Sequence, residues 1–373
     1  MIEKNKYGIA RWRIDSEEER RLARAADISP EGKHAYVEYY RINDAEYYAG
    51  GLPWIERTLN HFGVTAQGDK RQTIVEDMIY SLHRFGFSFE EYFQFNLIGK
   101  GVQVRESYIT DKNRFEYYAK FNTPEGMELL ENKAMALDRL KPYIGRDYMF
   151  VSNRGGVLQR DELDAFLSNH GDVIVKPLTG GCGRGIFLVK AGEMNADTLL
   201  KNLPSESAVI EERVVQSAEM AAFHPESLNT IRIIAFACKD GVHIGRSHFR
   251  IGRGSSVVDN AGQGGIFVSP DIETGQLMPK GYDELNGTYT SHPDSGLVFS
   301  EYAIPDWDEM IELTKKLMAL VPECKYVGWD LAYTDKGWIV IEGNANAQYI
   351  CQQIEAGHGL KSEWEKYIEM MYG

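Results

Sequence analysis

VIVKPLTGGCGRGIFLV, residues 173–189, reads as a strand, a glycine-rich turn and a second strand. Val173 to Lys176 and Ile186 to Val189 are β-branched, apolar runs, and Gly180, Gly181, Gly183 and Gly185 fall between them. Glycines in such a turn let bare backbone N–H groups approach an anion. Lys176 ends the first strand and Arg184 lies within the turn, so the segment reads as a flap over nucleotide phosphates. It has no Gly-Lys-Ser/Thr ending of a P-loop. A strand, not a helix, follows the glycines, which does not fit a dinucleotide fold. A plain glycine hairpin is the competing reading, so the rest of the chain must carry the argument.

Outward from the flap, the chain changes character. Before it lie helical patterns: EEERRLARAA (17–26), LPWIERTLNHFG with apolar positions 52, 55, 59 and 62, and TIVEDMIYSLHRFG ending at Gly86. Ser88 and Glu91 have the spacing of a capping box. VRESYIT (104–110) reads as a strand or extended connector. Thr123-Pro124-Glu125 opens a helix that runs on through Lys133, a short strand MFVS follows, and DELDAFLSNH (161–170) is helical. After the flap, strands dominate. SAVIEERVV puts Glu211 and Glu212 on opposite faces of one strand. NTIRIIAFAC (229–238) and VHIGRSHFRIG (242–252) pair across Lys239-Asp240-Gly241, and residues 259–277 form a glycine-rich loop, a short strand and a turn. An amphipathic helix (304–322), a hairpin of 326–334 with 338–347, and a helix over 360–372 complete the chain.

The final hairpin concentrates acids. Turning about residues 335–337, it sets Asp330 opposite Glu342, and Asn344 shares a face with Glu342 by the two-residue period of a strand. Two carboxylates and an amide oxygen are hard ligands suited to Mg²⁺, with exposed, solvated acids as the competing reading. Arg232 and Arg250 sit inside apolar strands, where a cation needs an anion. Together with Lys133 and Lys176 they fit a polyphosphate, or else separate salt bridges.

Composition narrows the class. The chain has 373 residues, 43% hydrophobic and 26% charged, with a formal net charge of −14. That balance argues against nucleic acid or an anionic membrane as a partner. Cys182, Cys238, Cys324 and Cys351 are scattered and form no Cys-x-x-Cys. No run reaches the length of a membrane span and the N-terminus has no apolar signal core, so the reading is cytoplasmic.

As an ordered series, FGFSFEEY, DVIVKPLTGGCGRGIF, VIEERVVQ, HPESLNTIRI, FRIGRGSSVVDNAGQGGI, HPDSG, IPDWDE and YVGWDLAYTDKGWIVIEGNAN resemble ATP-grasp proteins. The branch is the sugar-transfer-associated one, related to α-L-glutamate ligases, and the likeness spans roughly residues 85–350. The resemblance implies an α+β fold in which two lobes hold ATP. Residues 1–122 are the helical N-terminal region, 123–207 the lobe with the flap, and 208–373 the lobe with the metal site. Lys133 and Lys176 would reach the phosphates beneath the flap. Backbone groups of Glu212, Arg213 and Val214 would hold adenine, and Glu219 the ribose. Asp330, Glu342 and Asn344 would bind Mg²⁺, with Mn²⁺ as an alternative, and Arg232 and Arg250 would face the γ-phosphate and the charged intermediate. Asn260, Gly264 and Gly265 would approach the acyl group. The upstream metal acid here is Asp, in GWDLA, which departs from the usual pattern of the resemblance.

The reaction so implied is ATP-dependent ligation of a small-molecule carboxylate to an amine through an acylphosphate. A kinase using the same ATP site is the first alternative, and a non-catalytic nucleotide-binding protein the second. The oligomeric state and the identity of the substrates are not readable from the sequence.

Overall fold

In a computed structural model of the chain, residues 16–154, 156–178 and 185–373 are described. Among them the chain divides into two units. One comprises residues up to Tyr117 with Glu284–Gly287 and Tyr349–Glu369, and the other Tyr118–Asp283 with Thr288–Gln348 and Met370–Gly373.

The first unit is helical. Its helices Glu17–Ala26, Pro30–Asn43, Ala45–His61 and Gly68–Phe85 carry buried faces that include Ala23, Tyr36, Ile55 and Met78. Gly86 ends the last of these in the left-handed region, where the missing Cβ removes the steric cost. Ser88 and Glu91 make the expected capping box on helix Phe89–Gln94. The segment read as VRESYIT is not extended: Val102–Glu106 is a short helix. The reason is Arg105, which is buried and donates to Asp77, to the carbonyls of Leu97 and Lys100, and to Ser81. Those bonds demand a compact turn. Helix Ile350–Ala356 also belongs to this unit, and the sequence reading gave it no element.

The second unit carries two sheets. The smaller is built from β1 (Tyr148–Ser152), β2 (Val173–Pro177), β3 (Phe187–Val189) and β4 (Ser207–Glu212), in the order β1-β4-β2-β3. Its strands are antiparallel, and Val173, Val175, Ala208 and Ile210 pack with Leu163 and Leu199 from helices Val157–Asn169 and Ala196–Lys201.

The larger sheet has β5 (Thr230–Cys238), β6 (Gly241–Ile244), β7 (His248–Ile251), β8 (Ile266–Pro270), β9 (Leu277–Tyr282), β10 (Thr288–Tyr289), β11 (Tyr326–Thr334) and β12 (Gly337–Asn344). Their order is β10-β9-β8-β7-β5-β11-β12, with β6 also on β5. The expected hairpin partner of 229–238 is thus two strands, β6 and β7, broken at Gly245–Ser247, and both pair with β5. One face of this sheet is apolar. Ile231, Ile233, Phe249, Ile251, Val268, Trp329, Leu331 and Val340 bury there against Met310, Leu313 and Leu317 of helix Trp307–Leu320. Each such side chain contributes roughly 1.5–3 kcal/mol on burial. By alternation, the opposite face carries Thr230, Arg232, His248, Arg250, Phe267, Asp330, Glu342 and Asn344.

Two details differ from the sequence reading. The helix opened by Thr123-Pro124 ends at Glu131, and Asn132 caps a new helix whose first residue is Lys133. The last hairpin turns on two residues, since Thr334 pairs with Gly337. Asp330 nevertheless stands opposite Glu342, because the register shifts between Asp330 and Leu331. Ile341 is the extra residue of that bulge. Without that shift, the two-residue turn would set Ile341 opposite Asp330 and put Glu342 on the other face.

Candidate active site

The polar face of the large sheet is organised by a row of directly opposed residues. Glu342 faces Asp330, Asp330 faces Arg232, and Arg232 faces His248 across β12, β11, β5 and β7. A neighbouring row runs Thr230, Arg250, Phe267, Tyr282 across β5, β7, β8 and β9.

At the centre stands Asp330, buried to 2% exposure. Arg232 grips it with two nitrogens, Nε on Oδ1 and Nη2 on Oδ2 at 2.8 Å, and Arg250 Nη2 lies 3.0 Å from Oδ2. Burial opposes ionisation, but the guanidinium groups of Arg232 and then Arg250 overcome it and hold the carboxyl at about 2. Glu342 behaves oppositely. Its carboxyl is pushed up, first by enclosure among protein atoms although the side chain reaches solvent, then by the charge of Asp330. Asn344 points its Nδ2 to the Gly328 carbonyl at 3.3 Å and to Glu342 Oε1 at 3.4 Å. Asp330, Glu342 and Asn344 are therefore brought together as the sequence suggested. Arg232 and Arg250, expected to face phosphate, are also paired with Asp330, because strand register sets Arg232 directly opposite it.

Arg250 has a further anchor that sequence reasoning missed. Its Nη2 donates to Thr230 Oγ1 at 2.8 Å, and its Nε lies 3.5 Å from Asp259 Oδ2. Asp259 Oδ2 also accepts from the Thr230 N–H at 3.0 Å and from its hydroxyl at 2.5 Å. The turn that follows explains its placement. The Asn260 carbonyl accepts from Gln263 N and Gly265 N, and Gly264 sits at φ 94°. A Cβ on Gly265 would come within 2.5 Å of the Asp259 carbonyl. Asn260, Gly264 and Gly265 thus build the turn that presents Asp259.

The small sheet supplies a second cluster. Lys176 Nζ is 2.9 Å from Glu211 Oε2, and Arg146 Nε is 2.6 Å from the same oxygen. Arg146 also donates to the carbonyls of Ile144, Val340 and Ile341, so it ties β4 to β12. Burial pushes the Glu211 carboxyl up, but Lys176 and Arg146 overcome it and hold it at about 2. Lys133, partly desolvated at its helix start, is held below its ordinary value by burial, with Glu342, Lys176 and Glu211 as its charged neighbours. Lys133 and Lys176 are thus charged neighbours of Glu342 on the large sheet. Arg146 escaped notice because nothing local marks it. Its partner Glu211 was visible only as a strand acid.

Among the described residues, five cations (Lys133, Arg146, Lys176, Arg232, Arg250) face four carboxyl groups (Glu211, Asp259, Asp330, Glu342). Burial raises Asp259, and Glu342 is raised as described above. The cluster suits a polyanion. The oxygen donors of Asp330, Glu342 and Asn344 also fit Mg²⁺, since a divalent cation would relieve the opposition of the two carboxyls.

The other expected residues are placed as follows. Gly180, Gly181, Gly183 and Arg184 lie outside the described residues, as does Cys182. Gly185 leads into β3 at φ 74°. Glu212 N donates to the Asp147 carbonyl and Arg213 N to the Asp172 carbonyl, so those two amides are engaged within the protein. Arg213 also pairs with Asp172 at 3.0 Å. Val214 follows half-buried, and Glu219 is exposed on the short helix Ala218–Ala221. No helix of the described residues is long and apolar enough to cross a membrane.

A family model described as sugar-transfer associated ATP-grasp matches residues 112–369. A search of curated proteins finds no match. Among solved structures, the ATP-grasp ligase PsnB, complexed with minimal precursor, Mg and ADP, is 15% identical with a TM-score of 0.40. That alignment covers 67% of this chain and 61% of PsnB. D-alanyl-alanine synthetase A from Vibrio cholerae is 14% identical with a TM-score of 0.42, covering 66% of each chain. VanG D-Ala:D-Ser ligase from Enterococcus faecalis is 12% identical with a TM-score of 0.45, covering 67% of this chain and 64% of that one. The chain thus spans less than two thirds of the length of these structures.

Proposed function

Because the chain belongs to the sugar-transfer associated ATP-grasp family, we propose that it is an ATP-dependent ligase joining a small-molecule carboxylate to an amine. The observation that carries this reading is the pairing of Arg232 and Arg250 with Asp330 beside Glu342 and Asn344, with Lys133 and Lys176 as charged neighbours of Glu342. In the domain reading that goes with it, residues 123–207 and 208–373 grip ATP and 1–122 form the helical region.

A carboxylate oxygen attacks the γ-phosphorus, the bond to the β-bridging oxygen breaks, and ADP leaves. The amine nitrogen then attacks the acyl carbon, the C–O bond to phosphate breaks, and an amide, inorganic phosphate and a proton result. Lys133 and Lys176 bind the phosphates, with Glu211 orienting Lys176. Gly180, Gly181, Gly183, Arg184 and Gly185 are the further phosphate-binding residues of this reading. Adenine lies against Glu212, Arg213 and Val214, read there by carbonyl oxygens and the Val214 amide, with Glu219 toward the ribose. Arg232 and Arg250 stabilise charge on the transferred group and the acyl oxygen, and Asp259 and Thr230 hold Arg250 in line. Asn260, Gly264 and Gly265 border the acyl group. Asp330, Glu342 and Asn344 would hold Mg²⁺, which when bound neutralises phosphate charge.

The test is mass spectrometry of a desalted cytosolic metabolite pool incubated with the protein and Mg-ATP, with Glu342→Gln as control. A product equal to two metabolites less water, formed with ADP and absent from the folded control, supports the ligase. A product carrying one added phosphoryl group would replace it with the kinase reading. Normal turnover by Glu342→Gln would remove the metal assignment.

A further inference from the structure

The row Glu342–Asp330–Arg232–His248 does not end on a charge. The β7–β8 ladder ends at Phe249–Val268, and carrying its register one position further would bring Ser269 opposite His248. His248 is 2% exposed and Ser269 8%. His248 Nε2 and Ser269 Oγ are both buried, and neither has a hydrogen-bond partner among the described residues. Buried polar atoms without partners are rare and costly, so each of these two points to a group that would meet it. Burial, with the charges of Arg232, Arg246 and Arg250, holds the imidazole down to about 3, so it is neutral at working pH. Its ring stands edge-on to Phe267 at 5.2 Å between centroids, and Phe267 stacks with Tyr282. His248 therefore has Phe267 against its ring and Arg232 opposite it in the ladder.

We propose that His248 and Ser269 form the subsite for the attacking nitrogen of a primary-amine acceptor, a reading that rests on the ligase function above. The order of the row supports it. The acids and lysines mark the phosphate end, Arg232 and Arg250 stand where charge develops on the acyl group, and the nucleophile must approach from the side away from phosphate. That side holds His248 and Ser269. An ammonium ion would be repelled by the two arginines, so the nitrogen that arrives is neutral, and its N–H groups need acceptors. A neutral imidazole nitrogen and a hydroxyl oxygen supply two. Their burial restricts entry to a terminal group, which favours a primary amine over a bulkier one. Holding the N–H groups there aims the nitrogen lone pair toward the acyl carbon.

Hydroxylamine serves as the amine probe. Full-length protein is incubated with Mg-ATP, a cytosolic small-molecule extract as the carboxylate source and varied hydroxylamine, and acyl hydroxamate is measured. For His248→Leu and Ser269→Ala, the hydroxylamine concentration giving half-maximal hydroxamate should rise about tenfold or more, the loss expected when one hydrogen bond to a bound group is removed. The KM for ATP should stay unchanged, and His248→Asn should restore part of the loss. Ser269→Ala removes a single oxygen, so it keeps the test open should His248→Leu fail to fold. Unchanged hydroxylamine dependence in folded Ser269→Ala and His248→Leu, with wild type active, overturns this subsite alone. A wild-type protein that forms no ATP-dependent hydroxamate overturns the ligase reading, and the subsite with it.

Discussion

Replacing Glu211 with Gln should destabilise the fold by about 3–5 kcal/mol at neutral pH, the usual cost of removing one partner from a buried ion pair. Glu211 is 3% exposed, and the side chain of Arg146 is 2% exposed. Glutamine keeps the shape and an acceptor oxygen but not the charge, which leaves the Arg146 guanidinium buried beside Lys176. The Glu211 carboxyl is held at about 2 instead of 4.5, and at about 1.4 kcal/mol per pH unit this contributes roughly 3 kcal/mol. Because the folded value is depressed, that stability is fully present above about 4.5 and is lost as pH falls toward 2. The assay is urea unfolding followed by tryptophan fluorescence, since Trp329 lies in the core of the same unit. Wild type and Glu211→Gln are compared at neutral pH and down the acid range. The gap between them should be largest at neutral pH and narrow below about 4.5. A variant within about 1 kcal/mol of wild type at neutral pH, a margin that linear extrapolation resolves, would refute the reasoning. So would a gap that does not change with acid.

Lys176→Met should lower affinity for MgADP by roughly 10–100-fold, the loss of one charge-assisted contact, and shrink the nucleotide-dependent melting shift. An unchanged shift removes Lys176 from the phosphate site. Gly265→Ala should cost about 1–3 kcal/mol through overpacking against the Asp259 carbonyl, and lower turnover by disturbing Arg250. Wild-type melting and activity would contradict that account of the turn. Glu91 is buried, accepts from Ser88 N, Asp111 N and Tyr349 Oη, and is pushed up to about 7 by burial. A raised folded value means stability present below 4.5 and lost as pH rises through about 7. The stability of wild type relative to Glu91→Gln should therefore fall between pH 4.5 and 7, and a difference that stays flat or grows over that window rules it out.

What the sequence by itself determined was local. Periodicity, caps and turn residues write an element into a few consecutive positions, which is why the Ser88–Glu91 capping box, the Gly86 stop and the strands around Ile233 and Trp329 were legible. The meeting of Asp330 with Glu342 was legible too, because a hairpin ties its partners through a short loop. Even there, the two-residue turn and the bulge at Ile341 were invisible, since either alone would have broken the expected register. Tertiary structure alone decided the rest. Arg146 meets Glu211 from 65 residues away, and Arg232 meets Asp330 from 98, through strand orders that no local pattern encodes. Asp259 looked like a loop acid and His248 like a strand histidine until β5, β7 and β8 were laid side by side. A side chain's chemistry is fixed by its charge and burial, and burial belongs to the assembled sheets.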